Sequence, residues 1–308
     1  MTFGELRTRT FKAHADQQYY AALQQIDTEW PNHIDHLGDI SYWRICLLSL
    51  LGRIDEALDT ISSGVQAGIT FPPSMLHNDP DLEVLRRDSR FDAMVERLST
   101  IHASRIAEER LRIEFVLPSD PGSSDPAVLL FHGNNSNGHN AIAQWKPVLP
   151  ASWLLAAVTG REPSHAAGAY LWSEPDARES AIHGVVEVFE SQLRNRSLGV
   201  CGFSLGCTAA FDATEALSRE IYLMCLAAPS INLKRIERIE CFPLIQHLLV
   251  FAGEYDKRAL EAGRIVTELA TDEGSLASLV IVDSRGHEFP PLDLATGALE
   301  ELLHVEGM

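Results

Sequence analysis

A serine between two glycines is the first feature of the chain that could do chemistry. It lies in Gly202-Phe203-Ser204-Leu205-Gly206, after the apolar run of residues 198–201 and before a helix-prone run that begins at Cys207. Glycines at both flanks allow a turn that is too tight for ordinary side chains, so the hydroxyl of Ser204 would project from a sheet edge as a nucleophile. Because such motifs also occur by chance, its meaning depends on the rest of the sequence.

A nucleophilic serine needs a base, and His287 is the candidate. In proteins of alternating strands and helices that use a nucleophilic serine, the histidine base lies later in the chain than the serine and follows the end of a later strand. His287 comes shortly after the apolar run 279–282 and directly after a glycine. We expect it to take the proton from Ser204 and to return it to the leaving group.

The acid that orients His287 has three candidates. Glu254 and Asp256 follow the apolar run 248–251, and Asp283 follows the run that precedes His287. The carboxyl ends of parallel strands meet at one edge of a sheet, so all three carboxylates are expected on the same side as the base.

A His-Gly loop follows the earlier apolar run 127–131. It reads His132-Gly133-Asn134-Asn135-Ser136-Asn137-Gly138. A loop of this type supplies one backbone N–H to the oxyanion of an acyl-transfer reaction, and the residue after the nucleophile supplies the other. The two donors would be Asn134 and Leu205, and Asn135 is a further candidate for contact with the substrate.

Together the Ser204 motif, the acid, the histidine and the His-Gly loop resemble the α/β-hydrolase superfamily over about residues 112–308. Within it the chain looks most like the compact carboxylesterase, lysophospholipase and dienelactone-hydrolase-like branch. The resemblance favours Asp256 as the acid, because the acid of that family commonly follows a glycine by three positions. It disfavours a hydrolytic dehalogenase, which would carry a carboxylate in place of Ser204.

The substrate pocket is expected to be open. Proteins of this fold often insert a cap between the sixth and seventh strands, but only about twenty residues separate Leu226 from His247. The longest irregular stretch, residues 159–176, is rich in glycine, proline and aromatic residues, and such long loops are usually functional. Tyr170 and Trp172 are therefore candidates for one wall of the pocket, with packing in the core as the alternative.

The elements that must position these residues alternate along the chain from Arg112 onward. Strands are predicted over residues 113–116, 127–131, 153–158, 198–201, 221–226, 248–251 and 279–282. Helices are predicted near residues 140–148, 177–193, 205–217, 257–271 and 292–304. Continuous apolar strands between amphipathic helices indicate the α/β class, with a mostly parallel sheet covered on both faces.

The first part of the chain has helical periodicity and no strand-like runs. We assign residues 1–110 to a small all-α domain and residues 111–308 to a catalytic domain without a large cap. Helices are predicted over about residues 11–30, 41–51, 54–65 and within 79–99, the last with Asp79 or Ser89 as N-cap. The sequence around Gly52 and Ala57 resembles the middle of a tetratricopeptide repeat. A generic helical hairpin is the alternative.

Charge and composition limit the partners. The net charge of −18 over 308 residues argues against nucleic acid or an anionic membrane as the main partner. The apolar runs are far shorter than the roughly 20 residues that span a bilayer, and residues 1–12 lack the apolar core of a signal peptide. The odd number of cysteines without CxxC spacing (Cys46, Cys201, Cys207, Cys225 and Cys241) indicates reduced thiols. We expect a soluble, cytoplasmic protein.

The leading hypothesis is a serine hydrolase that cleaves a small-molecule carboxylic ester through an acyl-enzyme. Because the sequence shows no metal-ligand spacing and no glycine-rich phosphate loop, we expect no metal and no cofactor. A serine peptidase or amidase is one alternative, since esters and amides share tetrahedral chemistry, and a non-enzymatic helical-repeat binding protein is another. The helical domain could cover the active-site face, form a homodimer or bind a protein partner.

Overall fold

The computed structural model of the protein describes residues 1–119, 125–193, 195–217, 219–232 and 243–304. The chain divides into two compact units. The first contains residues 1–109 and 163–169, and the second contains residues 110–162 and 170–308. Among the described residues, no helix combines the length and the apolar character that crossing a bilayer requires.

The first unit is helical. Its helices are α1 (Phe3–Ala15), α2 (Tyr19–Glu29), α3 (Leu37–Leu50), α4 (Ile54–Gln66), α5 (Pro73–Asn78) and α6 (Ser89–Glu108). The prediction of a single helix over residues 11–30 was wrong, because Gln17 adopts a φ of 57° and separates α1 from α2. The N-cap of α6 is Asp88 rather than Ser89, since the Asp88 side chain accepts from the N–H of Arg90.

Gly52 ends α3, and α4 follows directly. It has a φ of 70°, a conformation that favours glycine. The N–H of Gly52 donates to Ser49 and the N–H of Arg53 donates to Leu48, so two carbonyls at the end of α3 are satisfied. Ala57, in the first turns of α4, is fully buried in the apolar core of this unit.

The short segment 163–169 packs against α3 within the first unit. A Cβ on Gly38 of α3 would lie only 1.8 Å from the carbonyl oxygen of His165. The imidazole of His165 lies 4.9 Å from the ring of Tyr42, measured between centroids, and its Nε2 lies 3.4 Å from Asp39 Oδ1. Glycine is therefore required where α3 meets the backbone of the segment.

The second unit is built on a sheet. The described strands are β1 (Arg112–Val116), β2 (Ala127–Phe131), β3 (Leu154–Thr159), β4 (Glu162–Pro163), β5 (Tyr170–Leu171), β6 (Leu198–Phe203), β7 (Ile221–Ala227), β8 (Ile245–Gly253) and β9 (Leu276–Val282). Seven of them form one sheet in the order β1-β3-β2-β6-β7-β8-β9, and β4 pairs with β5 in a separate ribbon. Only β1 is antiparallel to its neighbour in the larger sheet, so the prediction of a mostly parallel sheet is confirmed.

Helices cover both faces of the sheet. They are α7 (Gly138–Trp145), α8 (Pro175–Gln192), α9 (Gly206–Leu217), α10 (Lys257–Asp272) and α11 (Leu292–His304). One apolar cluster contains Leu129 and Phe131 of β2 with residues of α8, α9 and α10, and the other contains Val128 and Leu130 with residues of α7 and α11. Successive side chains of β2 thus enter opposite cores.

The strand register brings distant parts of the chain to one edge of the sheet. Phe131 pairs with Gly202, Phe203 pairs with Ala227, and Ala227 pairs with Phe251. Since these strands are parallel, the loops that follow β2, β6, β7 and β8 leave the sheet side by side.

We expect Gly38→Ala to destabilise the helical unit by about 1–3 kcal/mol, because the new methyl group must displace backbone atoms. Gly4→Ala in α1 is the matched control, since a Cβ there meets no atom within 4 Å. Its effect should stay below about 1 kcal/mol. Urea unfolding followed by far-UV circular dichroism measures the free energy of unfolding of both variants. Equal free energies of unfolding for the two variants would contradict the assigned contact.

Candidate active site

Ser204 lies at the tip of the turn between β6 and α9. Its φ of 54° is a left-handed conformation that is uncommon for a residue other than glycine. A Cβ on Gly202 would lie 2.7 Å from the carbonyl oxygen of Gly206, and a Cβ on Gly206 would lie 2.3 Å from that of His132. The backbones of β6, α9 and the loop after β2 therefore approach too closely for side chains at either glycine.

Ser204, His287 and Asp256 form a continuous hydrogen-bonded chain. Ser204 Oγ lies 2.7 Å from His287 Nε2, and His287 Nδ1 lies 2.5 Å from Asp256 Oδ2. When Nδ1 carries the ring proton and donates it to Asp256, Nε2 is left to accept the Ser204 hydroxyl proton. The side chain of Asp256 is only 10% exposed, whereas that of His287 is 47% exposed and reaches solvent.

The structure brings Asp256 to the histidine, rather than the other two candidate acids. Glu254 Oε2 instead accepts the backbone N–H of Ser284 at 2.9 Å, in the turn after β9. Asp283 is exposed and makes no hydrogen bond or ion pair with any residue that the structure describes. Glu254 therefore stabilises the turn that precedes His287, and Asp256 faces the imidazole.

Two features fix the position of Asp256. Its Oδ1 caps α10 by accepting the N–H of Ala259 at 3.1 Å, which leaves Oδ2 for His287. A Cβ on Gly253, at the end of β8, would lie 2.2 Å from the carbonyl oxygen of Gly286. The absence of a side chain at Gly253 lets the loops that carry the acid and the histidine touch.

The candidate oxyanion donors flank Ser204. A Cβ on Gly133 would lie 3.4 Å from Cβ of Ser204, so the His-Gly loop runs directly beside the serine. Leu205 follows the serine at the start of α9. Within the described part of the chain, the backbone N–H groups of Asn134 and Leu205 have no acceptor. Both donors are available to a developing negative charge.

His132 supports this loop from within the core. It is fully buried, its Nδ1 donates to the carbonyl of Gly133 at 2.6 Å, and its Nε2 accepts the N–H of Gly160 at 3.0 Å. Burial lowers the pKa of His132 to about 4, because desolvation penalises the charged ring. A second ring proton would also point at the Gly160 N–H. The neutral imidazole is therefore the form that fits.

Asn135 belongs to the His-Gly loop, and Tyr170 packs against that loop. Tyr170 is buried, its backbone exchanges two hydrogen bonds with Ser136, and its hydroxyl accepts from Arg112. The guanidinium of Arg112 lies 4.4 Å from the centroid of the tyrosine ring. Asn135 is exposed and adopts a φ of 56°. Of these two residues predicted to contact substrate, only Asn135 presents its side chain to solvent.

Trp172 is placed differently from the sequence-based expectation of a pocket wall. Its side chain is completely buried, and its ring lies 5.0 Å from that of His132 and 5.7 Å from that of Phe131. A fully buried indole offers no surface to a substrate. The alternative of core packing describes it better, and the indole lies behind the His-Gly loop.

Three polar residues near this loop were not found from the sequence. Glu162 is buried, and its Oε2 accepts the N–H groups of Ser173 and Glu174 just before α8. Arg178 of α8 pairs with Asp212 of α9 at 2.6 Å. Their sequence separations match no helical or strand period, so no local pattern indicated these contacts.

Residues of metal-ligating type come together in the helical unit. Within the described residues, Cys46, Asp79 and Asp81 form the one such group, with their ligand atoms within 4.8 Å of one another. Asp79 Oδ2 accepts from the Tyr42 hydroxyl and the Cys46 thiol, and Asp81 pairs with His14 at 2.7 Å. These side chains satisfy one another by hydrogen bonding.

The other described cysteines lie within the sheet unit. Cys201, Cys207 and Cys225 are buried free thiols, as is Cys46, and Cys241 lies outside the described residues. Cys207 follows the serine by three positions, but burial raises its thiol pKa well above the usual range. It behaves as a core residue beneath the turn.

Comparison with solved structures extends these observations. No family model matches the sequence, and no curated protein matches it. A protein from Bacillus cereus of uncharacterised function is similar over 99% of this chain and 98% of its own, with a TM-score of 0.50 and 18% identity. A protein of unknown function from Agrobacterium tumefaciens, provisionally described as an α/β hydrolase, matches 64% of this chain and 93% of its own, with a TM-score of 0.50 and 19% identity.

A third similar structure is a lidless α/β serine hydrolase from Xanthomonas campestris. It matches 63% of this chain and 88% of its own, with a TM-score of 0.46 and 18% identity. The sheet order, the flanking helices and the similarity to the Agrobacterium tumefaciens protein show that the second unit has the α/β-hydrolase fold.

The buried neutral state of His132 predicts how stability depends on pH. Its folded pKa of about 4 lies below the ordinary value of 6.5, so the unfolded chain binds more protons between these values. The free energy of unfolding should therefore fall as the pH drops from about 6.5 to 4, by on the order of 3 kcal/mol.

Urea unfolding at a series of pH values measures this slope in the wild type and in His132→Asn. The variant should be less stable at neutral pH and should show a flatter dependence over the same range. His183→Asn, on the exposed surface of α8, is the matched control and should keep the wild-type slope. If the stability of His132→Asn depended on pH as steeply as that of the wild type, the assignment of His132 as a neutral, buried imidazole would be contradicted.

Proposed function

We propose that the protein is a serine hydrolase that cleaves carboxylic esters of small molecules through an acyl-enzyme intermediate. The observation that carries this proposal is the hydrogen-bonded chain from Asp256 through His287 to Ser204, with distances of 2.5 and 2.7 Å. It lies at the edge of the sheet where an α/β-hydrolase fold presents its loops. In the proposed roles, Ser204 is the nucleophile, His287 the general base and acid, and Asp256 the orienting acid.

Acylation begins when Ser204 Oγ attacks the carbonyl carbon of the ester. His287 Nε2 takes the hydroxyl proton as the new C–O bond forms, and the carbonyl electron pair moves to the oxygen. Asp256 holds the imidazole by Nδ1 and stabilises its charged form. The tetrahedral intermediate then collapses, and the C–O bond to the alcohol breaks. His287 Nε2–H gives its proton to the departing alkoxide.

The N–H groups of Asn134 and Leu205 would receive the oxyanion of this intermediate. They belong to different elements, the loop after β2 and the turn before α9. Leu205 follows Ser204 directly, and Gly133, the neighbour of Asn134, approaches Ser204. Because donors held in position before the reaction need no reorganisation when charge develops, they lower the barrier more than solvent would. Removing one such donor typically costs about 100–1000-fold in kcat.

Deacylation reverses the roles. A water molecule attacks the acyl carbon while His287 Nε2 takes its proton, and Ser204 Oγ leaves with that proton as the acid is released. The exposed His287 side chain lets water and a small ester reach the serine from solvent. The proposed reaction needs no metal ion and no cofactor.

Ser204→Ala should abolish hydrolysis of p-nitrophenyl acetate and butyrate while leaving the circular dichroism spectrum unchanged, because no other group replaces the nucleophile. The wild type, but not the variant, should be labelled by a fluorophosphonate. Ser191→Ala on α8 is the control and should retain both properties. Turnover by Ser204→Ala at the wild-type rate would exclude the proposed role. Parallel assays on the matching p-nitroanilides measure whether amides are also cleaved.

Asp256→Asn should lower kcat by about 10³–10⁴-fold, because the amide no longer favours the required tautomer of His287. Asparagine also caps helices well, so α10 should remain intact. Asp283→Asn is the matched control, and its kcat should stay within about twofold of the wild type because Asp283 makes no hydrogen bond or ion pair with any described residue. A loss in Asp283→Asn or Glu254→Gln equal to that in Asp256→Asn would reassign the acid.

A further inference from the structure

Each polar group of Trp172 takes part in a hydrogen bond. Its indole Nε1–H donates to the carbonyl of His132 at 2.8 Å, and its backbone N–H donates to Asn134 Oδ1 at 3.3 Å. Its carbonyl accepts from Arg178 Nη1 at 2.6 Å. Since the residue is completely buried, each of these bonds replaces water that the group would otherwise bind.

Two of these bonds hold the loop after β2. The indole N–H donates to the carbonyl of His132 at the start of the loop, and the backbone N–H donates to the side chain of Asn134 within it. The backbone N–H of Asn134 is one of the two donors assigned to the oxyanion. A residue that holds both the start of the loop and the Asn134 side chain limits the directions in which that N–H can point.

The third bond, from Arg178 to the Trp172 carbonyl, connects Trp172 to the region of the other donor, the N–H of Leu205. Arg178 Nε pairs with Asp212 Oδ2 at 2.6 Å, and both side chains are only 15% exposed. Asp212 belongs to α9, the helix that begins directly after Leu205. Buried ion pairs add little net stability, because desolvation offsets their attraction, but they fix the geometry of the groups that they join. Arg178 thus ties the Trp172 carbonyl to the helix that directly follows the second donor.

We propose that Trp172 is a positioning residue that holds the two oxyanion donors, the N–H groups of Asn134 and Leu205, in a fixed relation. It ties the His-Gly loop directly and ties α9 through Arg178 and Asp212. The proposal rests on the proposed function, because it assigns a role in stabilising the oxyanion. Trp172 itself touches neither the substrate nor the reacting atoms.

A matched pair of tryptophan variants tests the proposal. Trp172→Phe removes the indole N–H that holds His132 and keeps an aromatic ring in the core. Trp145→Phe is the control, since Trp145 is also completely buried but its Nε1 has no hydrogen-bond partner among the described residues. Both variants lose a similar volume, and only the first loses a bond to the loop.

Kinetics on p-nitrophenyl butyrate provide the first readout. In Trp172→Phe, kcat should fall about 10–100-fold and KM should stay within about threefold, because a misplaced oxyanion donor weakens the transition state more than the ground state. The pH at which kcat/KM rises should stay at its wild-type value, since His287 and Asp256 are untouched. In Trp145→Phe, kcat should stay within about twofold of the wild type.

The amide signal of Asn134 in ¹H–¹⁵N spectra provides the second readout. It should shift and exchange faster with solvent in Trp172→Phe but not in Trp145→Phe. Arg178→Lys keeps a positive charge beside Asp212 but loses the fork that also reaches the Trp172 carbonyl, and its kcat should fall about 5–10-fold. This variant tests the proposal even when Trp172→Phe fails to fold.

The possible results separate the two proposals. Equal kcat values or equal Asn134 signals in the two tryptophan variants would overturn the positioning role, as would a wild-type kcat in Arg178→Lys. A wild type that hydrolyses no ester and reacts with no fluorophosphonate would instead overturn the proposed function. In that case the Asn134 signals still decide whether Trp172 holds the loop.

Discussion

The close approach of three backbones around Ser204 is the constraint on which the rest of the sheet unit depends. β6 enters the turn, α9 leaves it, and the loop after β2 passes so near that a single methyl group on Gly206 would overlap the carbonyl of His132. This approach gives Ser204 its left-handed backbone and brings the loop after β2 beside it. Strain of this kind persists only where surrounding contacts determine the structure, as the parallel register of β2, β6 and β7 does here.

The sequence predicted well those features that depend on a local residue pattern or on the order of strands along the chain. The apolar runs gave the sheet strands to within a few residues, because a buried parallel strand needs continuous apolar side chains. The grouping of Ser204 with His287 and with one of three candidate carboxylates used the rule that parallel strands end at the same edge. Choosing Asp256 over Glu254 needed a family resemblance, since both residues follow the same strand and only their side-chain directions differ.

Features that depend on long-range contacts could not be obtained in this way. The break at Gln17 has no glycine or proline to indicate it, and the polar run around it also fits a continuous exposed helix. The segment 163–169 reads as part of a hydrolase loop, yet its backbone packs on Gly38 of α3. Trp172 has the composition of a pocket residue, and only its tertiary neighbours show that it is buried. For the segment and for Trp172, the deciding contact comes from a residue far away in the sequence.

The proposed active site is exposed at His287, so its rigidity must come from the buried side of the loop after β2. His287 is half exposed, so water competes for the hydrogen bonds of its ring. The groups behind the loop after β2 are the reverse: His132 is buried and neutral, Trp172 is buried and fully hydrogen-bonded, and Arg178 is paired with Asp212. Hydrogen bonds in such a dry environment are costly to break, because a freed donor or acceptor finds no water. The buried side of the loop can therefore keep the proposed oxyanion donors in place, while the side that faces His287 is open to solvent.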